Sequence, residues 1–370
     1  MYVAGVDFGT YSVDVIVIDD DPLRVMYEES ISRKEILRDP RTIPRLLGYL
    51  DKKYQLSAIA VSSGYGIPLK LAKKATYDEI KLATFIHEKD EARKLRILGL
   101  RKTMEILKEL DLPIWFTPGV IHLPTIPYWK KIGRIDMGTS DKIFTAAAVL
   151  REEVEERKVS VSQVDAIVLE IGYAYTAALR LKSGKIIDAV GGTTGYQGYM
   201  GIGFWDAEVA YLLCSKNPVF SKELLFRGGV STILGLGHPP PAPEVVENAA
   251  LEGDPHADST IKALAESALK DALSLFTTGV PRRIYLSGRW SRSKLFTRRF
   301  EEYAKPILKR LGIELTKLTK IGSTKEAALG GAIIASGLAG GRYKWVVDSL
   351  ELHRSSGSIL DYLDDLIIVG

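Results

Sequence analysis

One local device occurs twice in this chain, and that duplication constrains the fold more than any other feature. Val6-Asp7-Phe8-Gly9-Thr10-Tyr11-Ser12 lies inside the apolar run VAGVDFGTYSVDVIVID, and Leu169-Glu170-Ile171-Gly172-Tyr173-Ala174-Tyr175-Thr176 lies inside AIVLEIGYAYTAALRLKSGKIID. Each reads as a buried strand that turns at a glycine and returns as an alternating strand. A turn of this kind aims backbone N–H groups and a hydroxyl at one spot, and that spot suits a phosphate. The neighbouring acid, Asp7 or Glu170, is placed to hold Mg²⁺ through water. Thr10, Ser12 and Thr176 join the backbone N–H groups as phosphate ligands. Asp7 alone would read equally well as a turn aspartate bonding its own backbone; the duplicated setting favours the phosphate. Two copies 163 residues apart predict two similar domains closing on one nucleotide.

A chain of 370 residues accommodates two domains, and 46% hydrophobic with 26% charged residues gives ample core. The net charge of +4 makes no case for nucleic acid, and Arg93-Lys94-Leu95-Arg96 and Arg292-Ser293-Lys294 read as solvated helix faces. Cys214 is the only cysteine, which excludes an intrachain disulfide and fits a reducing, cytoplasmic setting. The first strand begins at residue 3, so no signal peptide is expected, and no apolar run is long enough to span a membrane. The histidines never fall three to five residues apart, which argues against a histidine-based zinc site. Charged residues crowd the helices, a lean toward a thermophile.

Along the chain, residues 1–20 read as a hairpin, 25–35 as a third strand, 41–56 as a helix and 58–63 as a short buried strand. Residues 76–111 read as amphipathic helix, 113–127 as strand and loop, and 141–157 as a helix capped by Ser140 and Asp141. Ser183-Gly184 is a hairpin turn; 191–206 (GGTTGYQGYMGIGFWD) is glycine-rich loop, and Gly191 and Gly192 suggest a ligand cradle. Helices are expected at 262–276 and 324–338, a strand at 283–286, and a helix and short strand in 342–370. Ala327, Ala328, Gly331, Ala332 and Ala335 share one face of the 324–338 helix, and Ala146-Ala147-Ala148 offers a second small face. Two such helices can cross with their backbones close together, as a tight core contact, a hinge, or both.

Taken in order, these pieces resemble the acetate and sugar kinase, Hsp70 and actin superfamily. The phosphate-1 turn matches DFGTYS at 7–12, the first connecting helix GTSDKIFTAAA at 138–148, and the phosphate-2 turn EIGYAYT at 170–176. The adenosine turn matches LSGRWS at 286–291, and the second connecting helix GSTKEAALGGAI at 322–333. The resemblance implies an α/β, two-domain actin-like ATPase fold, with duplicated RNase H-like domains whose mixed sheets are flanked by helices. It places the domains at 1–148 and 149–370, with helix 323–338 as the second interdomain connection. It implies ATP and Mg²⁺ as cofactors. The nucleotide residues it points to are Gly9, Thr10, Ser12, Gly172, Thr176, Gly191, Gly192, Ser287, Gly288, Arg289 and Gly330, with Asp7 and Glu170 toward the metal.

Within the superfamily the chain looks most like acetate and butyrate kinases, and like archaeal proteins labelled predicted butyrate kinases. Their His-Gly-Thr-Ser-His is echoed by Met137-Gly138-Thr139-Ser140-Asp141, and their glycine-rich segment by 191–206. The sequence departs from them at Met137 and Asp141, at Glu170 in place of aspartate, and at Arg289 where a glycine is usual. Their glycine-rich segment carries an arginine, whereas 198–206 reads GYMGIGFWD.

The acceptor then decides the catalytic residues. A carboxylate acceptor, such as a short-chain fatty acid, needs cations to offset repulsion between two anions. His122, Lys130, Arg134 and Lys142 are the cations near the expected cleft, and none lies in a motif. A hydroxyl acceptor (sugar or polyol) needs a base, and Asp141 fits that role as well as it fits a helix cap. Catalytic candidates are therefore Asp7, Asp141 and Glu170. A carboxylate kinase is the leading reading, a hydroxyl kinase the alternative, and an ATP-binding switch without acceptor the third. An iron–sulfur activator ATPase of this fold is disfavoured for want of cysteines. The expected partner is a small-molecule acceptor, with no nucleic acid or membrane; a homodimer is allowed but not required.

Overall fold

The computed structural model describes residues 1–87, 90, 96–216 and 221–364, without the side chains of 96–98 and 216. Residues 93–95 of the basic run, the Arg96 side chain and the expected strand at the end of the tail lie outside the described residues. Residues 1–165, 179–189 and 318–370 form one compact unit, and residues 166–178 and 190–317 form another.

The first sheet runs β3-β2-β1-β4-β6-β5, with β1 Tyr2–Phe8, β2 Ser12–Asp20, β3 Leu23–Ser32, β4 Ala58–Val61, β5 Lys70–Leu71 and β6 Ile114–Phe116. β1 pairs antiparallel with β2 and parallel with β4, which pairs parallel with β6. β1, β2 and β4 are buried along nearly their whole length, as their continuous apolar runs require. β3 is an exposed edge. It ends earlier than its composition suggests, because the Ser32 hydroxyl accepts from the Lys34 N–H and caps α1, Arg33–Arg38. α2 (Thr42–Tyr54), α3 (Tyr77–Thr84) and α4 (Arg96–Lys108) follow. The core beneath includes Val6, Val15, Leu47, Ile59, Leu100, Met104 and Phe116.

Beyond α5 (Tyr128–Lys131), α6 spans Ser140–Arg151 and loosens into a wider turn over Glu152–Glu156. The small-residue helix, here α11, spans Glu326–Leu338 and is buried from Glu326 through Gly337. Its contacts explain its glycines. A Cβ on Gly330 would lie 1.7 Å from the Phe144 carbonyl oxygen of α6. A Cβ on Gly5 of β1 would lie 2.1 Å from the Ala328 carbonyl oxygen. α11 is thus in backbone contact with α6, the helix crossing that the small residues predict, and also with β1, which they do not predict.

The second sheet runs β11-β10-β7-β8-β9, with β7 Asp165–Ile171, β8 Thr176–Lys182, β9 Lys185–Val190, β10 Arg283–Ser287 and β11 Glu314–Lys317. β10 is parallel to both β7 and β11. Ser183 and Gly184, at φ 50° and 74°, make the two-residue turn between β8 and β9. Four helices lie among the described residues of the second unit: α7 Ala207–Lys216, α8 Pro243–Leu251, α9 Pro255–Ser274 and α10 Lys294–Leu311. α9 starts before the expected 262, because Asp254 accepts from the His256 and Ala257 N–H groups and Pro255 occupies the first turn. The core of this unit gathers Leu169, Ile171, Leu264, Ala268, Leu286, Trp290 and Phe300. α12 (Lys344–Ser349) closes the described helices in the first unit.

Candidate functional site

In the first unit the candidate residues gather at the carboxyl ends of the parallel strands, the usual ligand edge of an α/β sheet. β1 delivers Asp7 and β2 delivers Asp14, and the two are direct cross-strand partners. Both are buried, at 1% and 2% exposure. Like charges opposite one another weaken an antiparallel pair, so a cation is needed there. Lys325, at the entry to α11, supplies it: its Nζ lies 3.1 Å from Asp7 Oδ2 and 3.2 Å from Asp14 Oδ2. The Ser12 hydroxyl donates to Asp14 Oδ2 at 2.8 Å. The Phe8 N–H donates to the Ser62 hydroxyl, tying the turn to the end of β4.

Gly9 lacks a side chain for a reason of space. Its φ lies outside the left-handed region, but a Cβ there would fall 1.9 Å from Lys325 Nζ. Thr10 is half-buried on the same turn and Tyr11 is exposed.

The start of α6 is anchored to this edge. The Ser140 N–H donates to the Gly64 carbonyl oxygen, and the Ser140 hydroxyl bonds the Thr117 hydroxyl, which in turn donates to the Val61 carbonyl. Asp141 follows in the first turn, its side chain 15% exposed. It accepts from the Thr139 hydroxyl and pairs with Lys142 at 2.7 Å. Burial opposes its charge, but the Lys142 ammonium, the Thr139 hydroxyl and the Lys325 charge outweigh it and hold the carboxyl below its ordinary range. Asp141 is therefore ionised at neutral pH.

The other cations are engaged. Lys130 pairs with Asp188 at 2.6 Å, and the Arg134 guanidinium reaches the Ala189 carbonyl. His122 is buried beside Gly119, and burial pushes its imidazole down to about 4, so it is neutral at physiological pH. Lys325 does reach the phosphate-1 turn, through Asp7. Its signal in the sequence is a lysine directly ahead of the small-residue helix.

In the second unit, Glu170 stands on β7 directly beside Ser287 of the parallel β10. The phosphate-2 turn closes when the Gly172 N–H donates to the Tyr175 carbonyl at 2.9 Å. At the exit of β10, Gly288 adopts φ 86°, and a Cβ there would press on the Ile171 carbonyl at 2.6 Å. The two turns therefore meet backbone to backbone. Two buried hydroxyls flank them, Thr176 Oγ1 and Ser287 Oγ, and neither has a hydrogen-bond partner among the described residues. Buried hydroxyls are nearly always paired, so these two fit a ligand. Arg289 pairs with Glu244 at 3.1 Å.

The glycine-rich segment packs on Tyr175: a Cβ on Gly192 or Gly201 would lie 2.5 Å or 2.0 Å from that side chain. Tyr173, Tyr175, Tyr196 and Tyr199 are packing residues, each with a ring against another aromatic. Tyr199 stacks edge-on against Trp290, and Tyr175 against Phe226. Asp271 of α9 lies under the same segment and accepts from the Tyr196 N–H at 2.8 Å. Burial pushes its carboxyl up to about 7, with the Tyr196 N–H opposing.

Among the described residues no three His, Cys, Asp or Glu side chains gather into a metal cage. The Asp7–Asp14 pair fits a cation, since it already holds an ammonium. No helix among the described residues is long and apolar enough to cross a membrane.

A search of curated proteins finds no match to the chain. Among solved structures, it is similar to a propionate kinase from Francisella tularensis subsp. tularensis SCHU S4, with TM-score 0.62 and 14% identity over 90% of this chain and 98% of that one. An acetate kinase from Entamoeba histolytica gives TM-score 0.58 and 12% identity over 83% and 87%. A ROK family glucokinase from Streptomyces griseus gives 0.50 and 16% over 90% and 99%. The fold is thus the actin-like one of the acetate and sugar kinases, with mixed sheets flanked by helices. The family described as "Protein of unknown function (DUF1464)" matches residues 5–365, nearly the whole chain, and the chain belongs to that family.

Proposed function

We propose that this protein is an ATP-dependent kinase for a small molecule. The observation that carries the reading is the cluster at the strand ends of the first unit. A buried aspartate on a glycine turn (Asp7), an ammonium over that glycine (Lys325) and an ionised carboxylate at a helix start (Asp141) share one edge. Phosphoryl transfer asks a protein mainly for positioning and charge neutralisation, and these groups supply both. Magnesium, when bound, would neutralise charge developing on the transferred phosphoryl group; Asp7 is the carboxylate to orient its waters, with Glu170 in the same role on the second unit. The hydroxyls of Thr10, Thr176 and Ser287 and the backbone at Gly9, Gly172 and Gly288 are the proposed polar contacts to nucleotide, with Arg289 and Gly191-Gly192 beside them.

For the acceptor we retain a short-chain carboxylate of the butyrate type, on the echo of those kinases at 137–141 and 191–206. A hydroxyl acceptor is the second reading, and Asp141 supports it: anchored, ionised and partly exposed, it is fit to take a proton. The test of the kinase reading is ADP release from Mg·ATP by the wild-type protein and by Asp7→Asn. The substitution keeps the shape and removes the charge, and turnover should fall to background. A variant as active as wild type would sink the assignment.

A further inference from the structure

The sequence and the fold leave the role of Lys325 unassigned. Its ammonium is not at the surface: the side chain is 17% exposed and wedged against a carboxylate pair only 2–3% exposed. Its position is built from three elements of the first unit. β1 and β2 set Asp7 opposite Asp14, and α11, fixed through Gly330 and Gly5, sets the depth at which residue 325 enters. Gly9 leaves the room, since any Cβ there would collide with Nζ. The ion-pair distances of 3.1 and 3.2 Å are longer than the 2.7–2.9 Å of a tight charge-assisted bond. An ammonium on a four-carbon stem turns readily from one partner to another.

We propose that Lys325 is the phosphate-binding cation of the phosphate-1 turn. With no nucleotide bound, its ammonium rests on Asp7 and Asp14. When a nucleoside triphosphate arrives, the ammonium turns to a phosphoryl oxygen, and the Asp7 carboxylate it leaves would hold Mg²⁺ through water. Asp14 is the parking residue: it keeps the ammonium at the turn in both states. This inference rests on the nucleotide reading above and assigns the Lys325 ammonium of that cluster a specific ligand, a phosphoryl oxygen.

The test compares binding of Mg·ATP and of adenosine, which has no phosphate, by titration calorimetry. Lys325→Met alone leaves two buried carboxylates facing each other, so the informative protein is the double variant Lys325→Met/Asp14→Asn. It keeps the net charge of the cluster and the acceptor for Ser12. Lys325→Arg provides the charge-conserving control, and a melting curve reports folding of each protein. The double variant should bind Mg·ATP about tenfold or more weakly, the scale of one lost charge-assisted contact, with adenosine affinity unchanged. Lys325→Arg should recover most of the loss. Wild-type affinity for Mg·ATP in the double variant would overturn the proposal and leave Lys325 a structural counter-ion. An equal loss for adenosine and ATP would overturn it too, because the effect would not read phosphate. If the wild-type protein bound neither ligand, the nucleotide reading would fall first and this inference with it.

Discussion

Replacing Gly330 by alanine probes the helix crossing on which the site is built. In an open helix the change is favourable by about 1 kcal/mol, because alanine loses less backbone freedom. Here the new Cβ would sit 1.7 Å from the Phe144 carbonyl oxygen and 2.5 Å from its carbon. Ordinary contact begins near 3.4 Å, so α6 and α11 must separate by well over 1 Å, or their backbones distort. Both helices are buried almost throughout, so no rotamer change relieves the clash. Overpacking a rigid core costs about 1–3 kcal/mol, and a backbone-on-backbone collision belongs at or above the upper end. The net loss, after the propensity gain, is about 2 kcal/mol or more, or ~3 °C or more in melting temperature for a chain of this length. Gly331→Ala meets the Phe144 ring at 2.6 Å and the Gly5 Cα at 3.2 Å, both longer than the 1.7 Å approach at Gly330, and should cost less. Gly48→Ala in α2 meets nothing within 4 Å and should stabilise by up to ~1 kcal/mol. Thermal and urea unfolding of the three variants gives the comparison. A Gly330→Ala protein as stable as Gly48→Ala would refute the close crossing.

Two further substitutions separate chemistry from scaffold. Asp141→Asn should change acceptor-dependent kcat by less than about threefold for a carboxylate acceptor, which needs no base; a hundredfold loss would make Asp141 the base of a hydroxyl kinase. Asp271 gives a pH signature. Its carboxyl, pushed up to about 7 by burial, keeps its proton in the fold where the unfolded chain has already lost it at the ordinary 3.8. The fold binds more protons between those values, so this group's contribution to stability falls as pH rises from about 4 to about 7 and is level above. Asp271→Asn keeps the acceptor for the Tyr196 N–H and removes the titration. Its stability relative to wild type should rise across that window, by ~2–3 kcal/mol between pH 5 and 7 and no further to pH 8, in urea midpoints taken at pH 5 to 8. A difference that stayed constant with pH would show that Asp271 is not the protonated group.

The strands of both glycine turns were legible because fully buried strands leave unbroken apolar runs, as in β1 and β7. α11 was legible because its small residues fall at helical spacing. Helix starts were harder. Ser32 and Asp254 cap α1 and α9 from within stretches that composition alone assigns to the preceding strand or loop. Asp7 was legible from its turn, but its partner Lys325 lies 318 residues away. No local pattern reports a contact that only the docking of α11 on β1 creates. The glycines of 191–203 were ambiguous for a related reason. Gly192 and Gly201 answer to the Tyr175 ring, a tertiary neighbour that spacing does not reveal.

The most direct measurement of the central claim is ADP release from Mg·ATP across short carboxylates, sugars and polyols, with hydroxylamine present to trap acyl phosphate as hydroxamate. The account predicts acceptor-dependent ADP release that disappears in Asp7→Asn, with hydroxamate formed from one short carboxylate. ADP release driven by a sugar or polyol without hydroxamate would transfer the site to the hydroxyl reading and to Asp141. Tight ATP binding with no acceptor-dependent turnover would contradict the kinase claim itself.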